Sequence, residues 1–386
     1  MNRMADNSWV ETDPEALASN VAIFKRRLAP NARLGVVVKS NAYGHGAVLA
    51  SRAFIAAGAD WLIVNDVNEA MSLRAAELKV PIYICGPVPP AAAPMVVTAR
   101  ARVVVYDDAL LAALDAAGRA ADWVVPVHLK IETGNTRQGV SLRDALLLAG
   151  RIGAMPGVRL EGVATHYADI EDTTDHTFAQ SQLQSFVDAQ EAFCAAGHDV
   201  EMAHSANSAA AILWPQTHGE MVRVGIAAYG LWPSRETYVT ALQAHARSED
   251  GLLPELVPAL SWRARIAQVK SVASGAFVGY GRTYRATHDS KIAVLPVGYH
   301  EGYDRRLSNL GHVLIRGVRA PIRGRVCMNM TMVDVTHVPD VEPGDVATLL
   351  GRDGDEQITA EQLAEWMGTI NYEVVARIHP ALPRLG

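Results

Sequence analysis

The first residue of this chain that could do chemistry is a lysine closing an apolar run. Val36, Val37 and Val38 read as a buried strand, and Lys39 follows them at the head of a polar turn, Ser40-Asn41-Ala42-Tyr43-Gly44-His45-Gly46. If the strand belongs to a parallel α/β sheet or barrel, its C-terminal end is where ligands bind. Partial desolvation there favours the neutral amine, a nucleophile able to form a Schiff base. On this stretch alone the competing reading is an ordinary strand-end lysine whose stem lies along the protein and whose charge reaches water.

Polar residues also crowd the ends of other apolar runs. A fifth run carries Lys130 and leads into Gly134-Asn135-Thr136-Arg137, a sixth ends Thr165-His166-Tyr167, a seventh ends His204-Ser205-Ala206-Asn207-Ser208, and an eighth carries Arg223 ahead of Gly225-Ile226. Asn207 and Ser208 open a short helix, and with Gly225 they suit a phosphate held by a hydroxyl, backbone amides and a helix N-terminus. There is no glycine-rich dinucleotide fingerprint and no P-loop. An aldimine-forming lysine with a phosphate cradle on a barrel is what pyridoxal 5'-phosphate requires, and an arginine such as Arg223 could face its pyridine nitrogen. Each piece has an ordinary alternative: His166 and His204 as core histidines, Arg223 in a structural ion pair. Lys130, in mid-strand, needs a carboxylate partner or chemical modification, because an unpaired buried ammonium is costly.

The elements that must position these groups alternate. Apolar runs at 36–39, 61–64, 82–85, 103–107, 127–132, 160–167, 201–207 and 222–229 are separated by helical candidates at 46–57, 69–76, 108–117, 142–150, 174–196 and 208–214, after a first helix opened by Thr12-Asp13-Pro14. Eight such units imply parallel crossovers and a (β/α)8 TIM-type barrel, although a doubly wound sheet reads alike locally. Residues 233–258 break the pattern and read as a linker or exposed insertion. Beyond them short β-rich runs at 259–272, 292–296, 312–315, 325–334 and 347–350 predict a mostly-β domain with one helix, opened by Thr359 and Gln362 as a capping box. The expected division is a barrel over 1–240 and a mostly-β domain over 241–386, with the first ten or so residues packing against the latter.

Composition narrows the class. A net charge of -6 over 386 residues, with no Lys/Arg-rich run, argues against nucleic acid as the main partner. Three cysteines at wide spacing suggest neither a disulfide framework nor a metal site. No apolar stretch reaches the length of a membrane span, and the N-terminus has no apolar core of a leader, so a cytoplasmic protein is expected.

Val37-Val38-Lys39-Ser40-Asn41-Ala42-Tyr43-Gly44-His45-Gly46 resembles the cofactor-lysine motif of the alanine racemases, fold-type III enzymes dependent on pyridoxal phosphate. The likeness continues in family order through His128-Leu129-Lys130-Ile131-Glu132-Thr133-Gly134, Thr165-His166-Tyr167-Ala168, Ala206-Asn207-Ser208-Ala209-Ala210, Val222-Arg223-Val224-Gly225-Ile226, Val278-Gly279-Tyr280-Gly281-Arg282, Gly324-Arg325-Val326-Cys327-Met328 and Asn371-Tyr372-Glu373. The resemblance implies a homodimer with a shared active site, racemising alanine for cell-wall supply or for D-alanine catabolism. Lys39 would carry the cofactor and act as one acid/base. Tyr280 of a second copy would be the other, on the opposite face of the substrate. Phenols are weak bases near neutral pH, so neighbours including His166, near Arg223, would assist. Arg223 would keep the pyridine nitrogen unprotonated. Tyr43, Ser208, Gly225, Ile226 and Tyr372 would hold the phosphate, with Asn207 beside them. Arg137 and the Met328 amide would bind the substrate carboxylate, and Lys130 would be carbamylated.

The sequence departs from the family pattern at Asn329, where aspartate is usual, at His300-Glu301, at Asn135-Thr136 and at the C-terminal Ala381-Leu382-Pro383-Arg384. Those changes bear on substrate choice, leaving a serine or broad-specificity racemase as the alternative. A cofactor-carrying protein without catalysis is the reading from another class, and Tyr280 speaks against it. A decarboxylase would place an acid, not Arg223, at the pyridine nitrogen.

Overall fold

The computed structural model of the chain describes residues 6–247 and 255–386. It divides into two compact units whose segments interleave along the chain: Glu15–Ser40 with Ala50–Val257, and the stretch up to Pro14 with Asn41–Leu49 and Pro258–Gly386.

The first unit is a barrel of eight parallel strands, Arg33–Val37, Trp61–Val64, Ile82–Ile84, Arg102–Val105, Val125–Lys130, Val158–Ala164, Met202–His204 and Met221–Val224. Their β-branched runs are buried on both faces, as parallel strands beneath helices must be. The eighth strand pairs with the first, placing Gly35 opposite Arg223. Glu220 N donates to Ala203 O at 3.3 Å and Arg223 N to Ala206 O at 3.0 Å, tying the seventh strand to the eighth and closing the ring. A Cβ on Gly35 would lie 2.8 Å from Ile63 Cδ1 and 3.1 Å from Val222 O, so a larger residue there would force its neighbours to shift. Helix starts carry the side-chain caps their sequences offer: Asp66, Asp107 and Ser141 each accept from an amide of the following turn.

Two helices of the barrel unit depart from expectation. Ala93–Thr98 forms in a Pro/Ala-rich stretch absent from the helical candidates. Arg235–Arg247 occupies the segment expected to be a linker, so the boundary expected at 240 falls inside a helix of the barrel unit. Its first turn is capped by Ser234 Oγ, which accepts from Thr237 N at 2.9 Å and donates to Glu171 O at 2.9 Å. Residues 248–254 of the expected insertion lie outside the described residues.

The second unit is mostly β. Its main sheet runs Val318–Pro321, His312–Ile315, Val346–Asp353, Leu260–Arg265, Ser8–Thr12, Arg384–Leu385, and a smaller sheet joins Gln268–Val272, Ser290–Leu295 and Thr331–Asp334. Ser8–Thr12 runs antiparallel to Leu260–Arg265 and parallel to Arg384–Leu385. Thr359 Oγ1 accepts from Gln362 N at 3.1 Å to cap Ala360–Met367. A second helix, Asn371–Ala376, was not expected. Nor does the run at 325–334 form one strand: only Thr331–Asp334 is extended into the sheet, and the residues before it turn back. No helix among the described residues is long and apolar enough to cross a membrane.

Candidate active site

Lys39 lies just past the end of the first barrel strand. Val38 N still donates to Ile63 O at 2.7 Å, and then the backbone changes hand: Ser40, Asn41, Ala42 and Tyr43 have φ of 54°, 54°, 53° and 51°. Left-handed turns cost L-residues about 1–2 kcal/mol each, so the surroundings must impose this one. Ser40 N donates to Glu69 Oε1 at 2.6 Å, and Asn65 N donates to the other oxygen of the same carboxylate at 2.7 Å. Farther along, Gly46 N donates to Asn41 O at 3.0 Å, Ala47 N to Asn41 Oδ1 at 2.9 Å, and Thr12 Oγ1 to His45 O at 2.8 Å. Gly44 backs onto the helix Asn371–Ala376, where a Cβ would come within 2.1 Å of Val375 O.

Inside the barrel Arg223 is buried and held from several sides. Its Nη2 donates to Thr165 O at 2.8 Å and Ser205 O at 3.0 Å, with His166 Nδ1 at 3.4 Å, and its Nη1 donates to His204 Nδ1. Among the described residues the Arg223 Nε–H has no hydrogen-bond partner. Ser208 Oγ accepts from Gly225 N at 2.9 Å, joining the seventh and eighth strand ends. Asn207 takes a different part: its Oδ1 caps the helix Ser208–Leu213 through Ala210 N at 2.9 Å, and its Nδ2 points to Glu171 Oε1. Both ends of its side chain are thus engaged within the fold.

Lys130, Arg137, Gln138, Thr165 and His166 line one narrow crevice. Lys130 is buried, and among the described residues no ion pair includes it. Burial first, then the charges of Arg223 and Arg137, drives its ammonium far down from the usual lysine range. His166 is pushed toward the neutral ring by burial and by the charges of Lys130 and Arg223. Gln138 Nε2 is buried and has no hydrogen-bond partner among the described residues.

The other unit holds the remaining expected residues. The Tyr43 and Tyr372 rings lie 6.2 Å apart. Tyr280 stands between Gly279 and Gly281, at φ of 77° and 71°, and is 75% exposed. It lines a cleft with Tyr299, Arg325, Met328, Asn329 and Met330. The Met328 turn is pinned from one side: Tyr299 N donates to Cys327 O at 3.0 Å, His300 N to Met328 O at 2.9 Å, and a Cβ on Gly298 would meet Cys327 O at 2.1 Å. Glu301 completes the clamp, accepting from Gly298 N at 2.8 Å and Asn329 Nδ2 at 2.7 Å. The departures at 301 and 329 are therefore one hydrogen-bonded pair. Sequence reasoning missed that pairing, and it also missed Glu161 and His128, which extend the contacts of Arg223. The only signal was that His128 and Lys130, two apart on a strand, share a face.

Known proteins agree with this geometry. Residues 12–233 match the family described as alanine racemase, N-terminal domain, and residues 259–385 match alanine racemase, C-terminal domain. The alanine racemase of Leptospira interrogans serovar copenhageni is 37% identical over 98% of this chain and 95% of that protein. That of Syntrophobacter fumaroxidans is 39% identical over 96% of this chain and 95% of that protein. Among solved structures, alanine racemase from D-cycloserine-producing Streptomyces lavendulae superposes with a TM-score of 0.89 at 35% identity, covering 98% of this chain and 96% of that one. The Bacillus anthracis enzyme with bound L-Ala-P gives 0.88 at 33% identity, over 98% and 94%. Strand order, the residues at the barrel mouth and full-length similarity agree, and the chain belongs to the alanine racemase family.

Proposed function

We propose that this chain interconverts L- and D-alanine with pyridoxal 5'-phosphate, by a two-base mechanism, as a homodimer. The observation that carries the reading is Arg223, a buried guanidinium at a barrel-strand end with its Nε–H unengaged among the described residues. A pyridine nitrogen accepts such a donor without taking its proton, because arginine is too weak an acid to release it. Lys39 would anchor the cofactor, and Ser208, the Gly225 and Ile226 amides, Tyr43 and Tyr372 would hold its phosphate. When bound, the cofactor withdraws electrons from the Cα of an amino acid and makes that hydrogen removable.

The chain's own residues would do the rest. Racemisation needs a proton to leave one face and another to arrive on the opposite face, so one base cannot suffice. Lys39 Nζ would move the proton on one face and Tyr280 Oη, from the second copy, on the other. Arg137 and the Met328 amide would orient the carboxylate. Exposure of Tyr280 at 75%, Met328 at 56% and Met330 at 54% supports a second copy covering this patch. The neutral amine favoured at Lys130 can add carbon dioxide with loss of a proton, and the resulting carbamate would face Arg137 and the Gln138 Nε2 donor. Three free cysteines fit a reducing cytoplasm.

An enantiomer-resolved assay tests the reading. Wild type with cofactor should bring L-alanine to the racemate, and Lys39→Ala should lower the rate by at least about 10³-fold and abolish the visible absorbance of bound cofactor. No conversion by wild type overturns it. The Glu301–Asn329 pair beside Met328 favours one second reading, a racemase of broader specificity, which comparison of alanine, serine, lysine and arginine as substrates decides.

A further inference from the structure

Arg223 is one end of a buried chain whose other end has no part in the chemistry above. Its Nη1 lies 2.5 Å from His204 Nδ1, His204 Nε2 lies 2.7 Å from His128 Nδ1, and His128 Nε2 lies 3.0 Å from Glu161 Oε2. All four residues are buried. A guanidinium only donates, so His204 Nδ1 must be bare and its proton must be on Nε2. That proton points at His128 Nδ1, which must accept. The proton of His128 is then on Nε2, donated to Glu161. Reversing any link would set two donors face to face and strand buried polar groups. A single proton order satisfies the chain, with both rings neutral.

The barrel is built around these rings. A Cβ on Gly162 would lie 2.6 Å from His128 Nδ1 and 2.7 Å from Met202 O, and the strand register shifts between Val127 and His128 where the ring enters. The Tyr83 ring packs 4.8 Å from His128 and 5.4 Å from His204. Burial pushes both histidines toward the neutral form. Burial opposes ionisation of Glu161, but the hydrogen bond from His128 and the charge of Arg102 carry it down to about 2. Arg159 Nη2 donates to the same carboxylate at 2.7 Å.

We propose that Glu161 is a positioning residue for Arg223, acting through His128 and His204 along this one-way chain. The proposal rests on the reading of Arg223 as the partner of a pyridine nitrogen. A carboxylate at the far end makes each acceptor in turn more electron-rich, so His204 Nδ1 grips the guanidinium and fixes its tilt. Passing a proton from Arg223 down the chain would require Glu161 to take the proton of His128, which so strong an acid resists. The donor left for the cofactor therefore stays charged.

Two measurements test this. In cofactor-free wild type with ¹⁵N-labelled histidine, two-bond ¹H–¹⁵N spectra at neutral pH should show both rings with Nε2 protonated and Nδ1 bare. An Nδ1–H tautomer or an imidazolium at either ring overturns the proposal, whatever the enzyme's activity. With cofactor bound, Glu161→Gln, which keeps the shape and removes the charge, should lower kcat about tenfold, leave KM for alanine within twofold and shift the visible band. A kcat equal to wild type, or a fall in kcat matched by a rise in KM with no spectral shift, refutes the positioning role. If Glu161→Gln fails to fold, the wild-type spectrum still decides the proton order. If wild type neither binds cofactor nor racemises alanine, the reading of Arg223 fails and the proton order can still stand.

Discussion

The interior of the barrel and the Tyr280 turn are built on opposite principles. Around Arg223 the contacts to Thr165, Ser205 and His204 are buried, and a glycine at 162 has been spent to seat the His128 ring. Around Tyr280 the backbone is set by flanking glycines with positive φ, and the side chain itself projects into solvent. A buried polar network specifies one arrangement because any error leaves groups unsatisfied. An exposed side chain on a shaped turn is fixed in place only when something else arrives. The barrel thus fixes Arg223 by its own contacts, whereas Tyr280 is left exposed on its turn.

Substitutions can break or sharpen that contrast. Tyr280→Phe should cost the most function and the least structure: kcat in at least one direction falling about 10²–10⁴-fold, with the thermal midpoint unchanged. A midpoint lowered along with kcat would show that the turn is structural. Gly162→Ala reverses the pattern, since its methyl must displace His128 or Met202 O; overpacking of this kind costs about 1–3 kcal/mol, read as a lower urea midpoint. Undiminished stability would mean that the interior is softer than its geometry implies. The smallest effect is expected at the clamp. Asn329→Asp replaces a 2.7 Å hydrogen bond to Glu301 with two facing carboxylates, and should raise KM for alanine about threefold, the ~0.7 kcal/mol scale of an exposed polar pair, with kcat little changed. A change in kcat alone would place Asn329 elsewhere in the chemistry.

Much of the barrel was legible because its strands are continuous β-branched runs, a local property, and because polar residues at their ends have few reasons to be there. The left-handed turn was not legible: Ser40, Asn41, Ala42 and Tyr43 are ordinary residues placed in that conformation by Glu69, Thr12 and Val375, none of them nearby in sequence. The strand expected through 325–330 failed for a similar reason, because contacts with residues 298–301 turn it back on itself. The Arg235–Arg247 helix was hidden by the polar residues at both its ends. Glu161, His128 and His204 lie on three different strands, so only the folded barrel reveals them as a chain.

The interleaving of the two units has a consequence for anyone cutting the gene. The strand Ser8–Thr12 lies between Leu260–Arg265 and Arg384–Leu385, so a fragment beginning at Pro258 would be missing an interior member of its main sheet and would present two unsatisfied edges. Such a fragment should aggregate or scavenge a replacement strand, and supplying the N-terminal peptide in trans is the natural remedy. The polypeptide also passes from one unit to the other between Ser40 and Asn41, immediately after Lys39. Modular shuffling of this enzyme therefore has no clean seam, and Lys39 is one residue from the splice.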